Sequence, residues 1–306
     1  MELNQEEVRP AINLALFLVV VLSVTYSGLS WSAGFQSYNA SISAFNNSNV
    51  GFARSGDLNE QGIKADISGQ SYFEGTPGSG VFTSSSIAAI AYAEYPGLNS
   101  VEARVQLGYA KKLGLGFNQP RISAALNLGY NYSDSKIRVG WSIAPSLNYS
   151  KNISNRLSVS ATVQYFNFEA SDRIAVDPNS PGFLDGEDEP TSIQNSRFNL
   201  ATEWAWTPQT YLGLDISYLS GEFNSAALPN AGIASFSNAV SVDDGLGSGY
   251  HLYRYDGDGY VLGTQIIRTL SSSQELILRL QRSIVDADGG VGYGQTIVNL
   301  SFSKSF

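Results

Sequence analysis

The chain has 306 residues, room for one large domain or two ordinary ones, and its 12% aromatic content, with 17 Tyr, 15 Phe and 30 Gly, leans toward β structure. It has no cysteine, which excludes disulfides, thiolate metal sites and cysteine nucleophiles. With 18 Lys and Arg against 27 Asp and Glu, the net charge of -9 argues against a broad basic face, so nucleic acid is not an expected partner.

Ala11 to Val24 (AINLALFLVVVLSV) is the one long apolar stretch, and small and polar residues follow it through Ser32 and Ala33. It reads as a secretory signal peptide cleaved near Ser32 or Ala33, which makes residues 1–33 a leader and 34–306 one domain. Glu2, Glu6 and Glu7 outweigh Arg9 before it, contrary to the usual positive n-region. An uncleaved anchor is the alternative, although the apolar core is short for a span of ~20 residues.

From about residue 35 onward, apolar and polar residues alternate in segments of roughly ten, separated by Gly, Pro, Asn, Asp and Ser. The alternation predicts about twelve strands. They lie near residues 36–46, 60–73, 80–95, 100–112, 119–133, 135–150, 155–169, 194–207, 209–223, 256–270, 274–286 and 291–306. The indistinct Asn47–Asn59 and Tyr250–Tyr255 regions leave about ten or fourteen as alternatives. In the clearest segment Val101, Ala103, Val105, Leu107 and Tyr109 share one face, with Glu102, Arg104, Gln106 and Gly108 on the other. Across the segments the second face is mostly Ser, Asn, Gly and Gln with sparse charge, whereas the outer face of a soluble sandwich would be more heavily charged. Tyr92, Tyr95, Tyr130, Tyr132, Tyr149, Trp204, Trp206, Tyr211 and Tyr218 fall near strand ends, as interfacial girdles require.

In the last segment Thr296, Val298, Leu300, Phe302 and Phe306 share a face opposite Gln295, Asn299, Ser301, Ser303 and Ser305, and only Ile297 and Lys304 break the pattern. This segment resembles the C-terminal recognition strand of bacterial outer-membrane β-barrel proteins, whose assembly machinery reads a terminal Phe preceded by alternating apolar residues. The resemblance implies an all-β fold, a single antiparallel up-and-down transmembrane β-barrel in the bacterial outer membrane. It also implies outer-membrane lipid, lipopolysaccharide and the assembly machinery as partners, with Val298, Leu300, Phe302 and Phe306 as the assembly signal. The turn lengths agree: five connections are short, and the two longest, Ser171–Ile193 and Asn224–Tyr255, fall at the same, extracellular end.

With the aliphatic face turned to lipid, Lys64, Asp66, Glu94, Glu102, Arg104, Arg121, Arg138, Arg156, Arg197, Glu203, Asp215 and Arg279 are expected in the lumen. Arranged as opposed walls they would create a transverse field that selects solutes; paired, they would close a narrow lumen. The expected function is a passive channel for small hydrophilic solutes, with Arg104, Arg121, Arg138, Arg197, Arg279, Glu102, Glu203 and Asp215 as its selectivity residues. Some twelve-stranded barrels of similar size conduct acidic oligosaccharides, which inward arginines would suit. The alternative is a non-conducting structural, adhesion or envelope-assembly barrel acting through its long loops. A lipid hydrolase ranks below both: the single histidine, His251 in GYHLYRYDGDGY, has Tyr253 where outer membrane phospholipase A places its Ser, and Ser248 lies in a Gly-rich stretch. No enzyme activity and no cofactor are expected. Asp185, Glu187, Asp188 and Glu189, and Asp243, Asp244, Asp256 and Asp258, form acidic clusters without EF-hand spacing, read as solvated charge rather than calcium ligands.

Overall fold

A computed structural model describes residues 35–52, 58–171, 191–229, 231–247, 249–287 and 291–306; the leader proposed above lies outside them. The strands are β1 (Phe35–Asn47), β2 (Glu60–Thr76), β3 (Ser79–Tyr92), β4 (Ser100–Lys112), β5 (Arg121–Ser133), β6 (Gly140–Asn152) and β7 (Leu157–Ala170). After them come β8 (Ile193–Thr207), β9 (Thr210–Ala227), β10 (Ala239–Val242), β11 (His251–Ser271), β12 (Gln274–Ala287) and β13 (Val291–Ser305). Each strand from β1 to β9 pairs antiparallel with the next, β9 pairs with β11, and β13 pairs with both β12 and β1, which closes a barrel of 12 strands. The short β10 stands apart, paired only with the outer end of β11.

Closure is a physical necessity for a sheet in lipid, because an edge would leave a row of backbone donors and acceptors without partners. The line of hydrogen-bonded partners, followed once round the sheet, climbs by about 16 residues, which tilts the strands by ~40°. Five short connections lie at the end where β1 begins, and the two longest, between β7 and β8 and between β9 and β11, lie at the other, as the turn lengths predict.

Alternation then decides what each residue faces. Leu107, Leu126, Ile143, Leu200, Leu214, Leu262 and Leu278 are exposed on the outside and form the aliphatic belt. Tyr130, Tyr132, Trp141, Tyr218 and Tyr260 share that outer face toward the loop end, and Tyr38, Tyr109, Tyr149, Trp204 and Trp206 toward the tight-turn end. These are two aromatic girdles flanking the aliphatic belt. Three expected girdle residues belong elsewhere, and one of them, Tyr95 in the connection between β3 and β4, packs against the apolar cluster of Leu58, Leu98 and Ile137. Tyr92 faces inward, edge-on to Phe45 with ring centroids 5.6 Å apart, and Tyr211 lies on the inward side of β9 with Asp215. Both sit near strand ends, but depth does not determine facing; parity does.

Among the described residues, two arginines lie on the outer face of the strands. Arg268 reaches Thr210 Oγ1 at 2.7 Å and Arg282 reaches Thr296 Oγ1 at 2.8 Å. Each stands near a rim of the belt, where a long side chain carries its charge toward water.

Candidate functional site

Among the described residues, one segment crosses the mouth of the barrel. The expected loop at Asn224–Tyr255 instead continues β9 to Ala227, forms one helical turn (Ala231–Ala234) and β10, and re-enters the wall at His251. Between β10 and β11 it folds onto the other outer connections. Arg138, in the turn before β6, donates Nη1 and Nη2 to the two carboxylate oxygens of Asp243 at 2.5 and 2.6 Å. Asp243 also accepts from the Gly245 backbone N–H at 3.0 Å, and its exposure is 0%. Next to it Asp244 accepts from the Ser135 hydroxyl and from the Lys136 N–H at 3.1 Å. Below these polar contacts Leu246 packs with Leu58, Leu98, Ile137, Ala226 and Leu252. The segment is a strap across the mouth, fixed by one buried ion pair and one apolar cluster. Arg138 is therefore committed to the strap, unlike the remaining arginines of the predicted set. Asp243 is buried and hydrogen-bonded rather than solvated, whereas Asp244 is exposed as well as hydrogen-bonded, and the exposed Asp256 accepts from Asn238 Nδ2 at 3.1 Å; the cluster at Asp185–Glu189 lies outside the described residues.

Two charged groups line the middle of the barrel. On one wall Arg104 donates Nε to Glu102 Oε1 at 2.7 Å, with Asp66 and Lys64 beside them on β2. On the other, Arg279 pairs with Asp215 at 3.0 Å, and Arg197 donates Nε and Nη2 to the Ser217 hydroxyl at 3.0 and 2.8 Å. No carboxylate of the described residues lies within ion-pair distance of Arg197. The stagger sets both groups at about the same depth, half a circuit apart. Arg121 lies deeper, toward the tight-turn end, with its guanidinium 5.6 Å from the Tyr72 ring centroid, and Glu203 is exposed at a similar depth on β8. The arginine side chain at 104 is 62% exposed although it points into the barrel, so the lumen at this depth is wide enough to hold water.

Between strap and charged level the lumen is predominantly apolar, with Arg138 and Glu222 at its edge, contrary to the small polar lining expected throughout. A cavity of about 460 Å³ is lined by Phe52, Phe166, Phe168, Ile193, Leu219, Phe223, Val261, Val285 and Tyr293, with Asn131, Asn195 and Ser283 among them. The sequence carries a signal for it: alternation fails at Tyr165–Phe168, Tyr218–Leu219, Tyr260–Leu262 and Ile284–Val285, where both faces are apolar. A second cavity of about 360 Å³ lies immediately below on the same wall, lined by Thr162, Gln164, Arg197, Asn199, Asp215, Gln265 and Arg279.

His251 belongs to β11, buried, with its ring centroid 6.4 Å from that of Tyr253. At the seam, Val298, Leu300, Phe302 and Phe306 share the outer face, Phe306 donates its N–H to Tyr38 O at 2.9 Å, and Lys304 stands 5.0 Å over the Phe306 ring. Thus Lys304, which interrupts the alternation, sits on the lipid side beside an aromatic at the interface. Ile297 faces inward.

The fold has solved counterparts. An outer membrane channel from Pseudomonas putida F1 superposes with a TM-score of 0.52 at 10% identity, covering 90% of this chain and 97% of that one. The chain has the fold of an outer-membrane channel. KdgM porin in complex with oligogalacturonate matches with a TM-score of 0.47 at 12% identity over 88% of this chain and 99% of the other. NanC porin matches with 0.46 at 8% over 87% and 98%. No protein-family model and no curated protein matches the sequence.

Proposed function

We propose that this barrel sits in the bacterial outer membrane, surrounded by lipid and lipopolysaccharide, and conducts small hydrophilic solutes passively. The observation that carries the reading is the pair of charged groups held at one depth on opposite walls, with Arg104 solvated inside the barrel. A filled barrel would bury these side chains in a closed network; here charge faces water across a gap, which is the arrangement that makes a transverse field. Arg104, Arg197, Arg279, Glu102 and Asp215 line that level, and Arg121 and Glu203 would act on the exit side.

Planar-bilayer recording of the refolded protein tests the reading. Reproducible conductance steps are expected, with the reversal potential in a salt gradient moving toward cation preference in Arg104→Gln and Arg197→Gln. Absence of steps in the purified, folded protein would sink the channel. The covered mouth favours a second reading, a non-conducting barrel that binds a partner through its outer loops, and the same recording separates the two.

A further inference from the structure

The two cavities described above are consecutive levels of one wall. On β7 the inward residue after Gln164 is Phe166; on β8 Arg197 follows Asn195; on β9 Ser217 precedes Leu219. An apolar chamber thus stands directly on a polar floor, and that floor holds Arg197, whose donors meet only a neutral hydroxyl. The chamber's own charged neighbours are compensated: Arg138 by Asp243, and Glu222 by Arg254 at 3.7 Å. The floor also carries the Asp215–Arg279 pair, with Asp215 within Coulombic reach of Arg197, so a solute beneath the strap meets apolar contact above and the net charge of one guanidinium below.

We propose that this pair of cavities is a binding site for a small organic anion with a bulky apolar body, such as a branched or aromatic carboxylate, seated body-up in the chamber with its head on Arg197. The size fits: about 460 Å³ accommodates a single substituted ring, within the range of ordinary small-molecule pockets. The chemistry fits as well, because a carboxylate can take the guanidinium's remaining donors while its ring leaves water for Phe166, Phe168 and Leu219. A purely hydrophilic sugar would leave the aromatic walls wet and would gain nothing from them. The site rests on the channel reading for its purpose but not for its existence.

Three probes test it: 4-tert-butylbenzoate, its neutral amide, and acetate. Binding is measured at equilibrium with protein in nanodiscs, and passage by current interruptions in bilayers. Wild type is expected to hold 4-tert-butylbenzoate at least tenfold tighter than acetate and measurably tighter than the amide. Phe166→Ser and Leu219→Ser should each reduce that affinity by roughly tenfold. Arg197→Gln should abolish the preference for carboxylate over amide while keeping the preference for the bulky ring. Two chamber variants guard against one that fails to fold. Equal affinity for 4-tert-butylbenzoate and acetate in a conducting wild type would overturn the site and leave the channel standing. Tight, variant-sensitive binding without conductance would do the reverse.

Discussion

Removing Arg138 should unlatch the strap. Asp243 is wholly buried and its two oxygens are both engaged by that one guanidinium, so Arg138→Met strands a carboxylate among Leu98, Leu246 and their neighbours. Stranding one partner of a buried pair costs about 3–5 kcal/mol. The Gly245 N–H still supports Asp243 and the variant can hydrate by opening, so the cost falls on the closed strap rather than on the wall. A shift at the lower end of that range changes the ratio of closed to open strap on the order of 10²-fold. Single-channel recording should show higher mean conductance and longer open dwells, and limited proteolysis should cut within residues 228–250 where wild type resists. The barrel itself should keep its resistance to unfolding in SDS, since its ladder is untouched. Arg138→Met combined with Asp243→Leu should recover part of the closed behaviour, because an apolar pair can replace a buried ion pair. Unchanged conductance together with an unchanged proteolysis rate would refute the latch.

Other expectations can be checked independently. Glu60 is buried and accepts from the backbone N–H groups of Gln61, Ala93, Glu94 and Tyr95, so Glu60→Gln should lower stability by about 2–3 kcal/mol in urea titration through loss of charge-assisted acceptors in the β3–β4 turn. Phe306 is 70% exposed, so Phe306→Ser should sharply reduce assembled protein in cells while leaving the urea midpoint of protein refolded in detergent nearly unchanged; an equal loss in both would make the residue structural rather than a signal. A Cβ at Gly263 would collide with the Asp215 carboxylate, so Gly263→Ala should push Asp215 off Arg279 and change ion selectivity, read as a shifted reversal potential.

The wall of this protein was legible because the physics that builds it is local. Each strand must present an apolar residue to lipid at every second position, and Val101 to Tyr109 announces both the strand and its facing without knowledge of any neighbour. The charged level followed from the same rule, since Arg104, Arg197, Asp215 and Arg279 occupy the opposite parity. What the sequence concealed depends on contacts between distant segments. Arg138 meets Asp243 across 105 residues, and nothing around either residue specifies the pairing. Leu246 sits in a Gly-rich stretch that reads as an outer loop, yet Leu58, Leu98 and Ile137 from three other connections form a surface that buries it. The apolar chamber lay between these cases. Phe166, Phe168 and Val261 each interrupt an alternation, and an interruption reads as noise until several strands place theirs at one depth.

The seam between β1 and β13 sets the order in which this molecule can form. Asn39 meets Ser305 and Asn47 meets Ile297, so the contact that completes the ring joins segments separated by nearly the whole described chain. Hairpins joined by short connections can zip from their turns, but this pairing has no turn to nucleate it and must bear the largest loop-closure entropy in the fold. Until it forms, two strand edges stand open together, each able to accept a foreign strand. The interval between synthesis and closure is then the period of greatest aggregation risk, and a factor that holds β13 at its outward-facing aromatic would shield the vulnerable edge while the rest of the wall arrives.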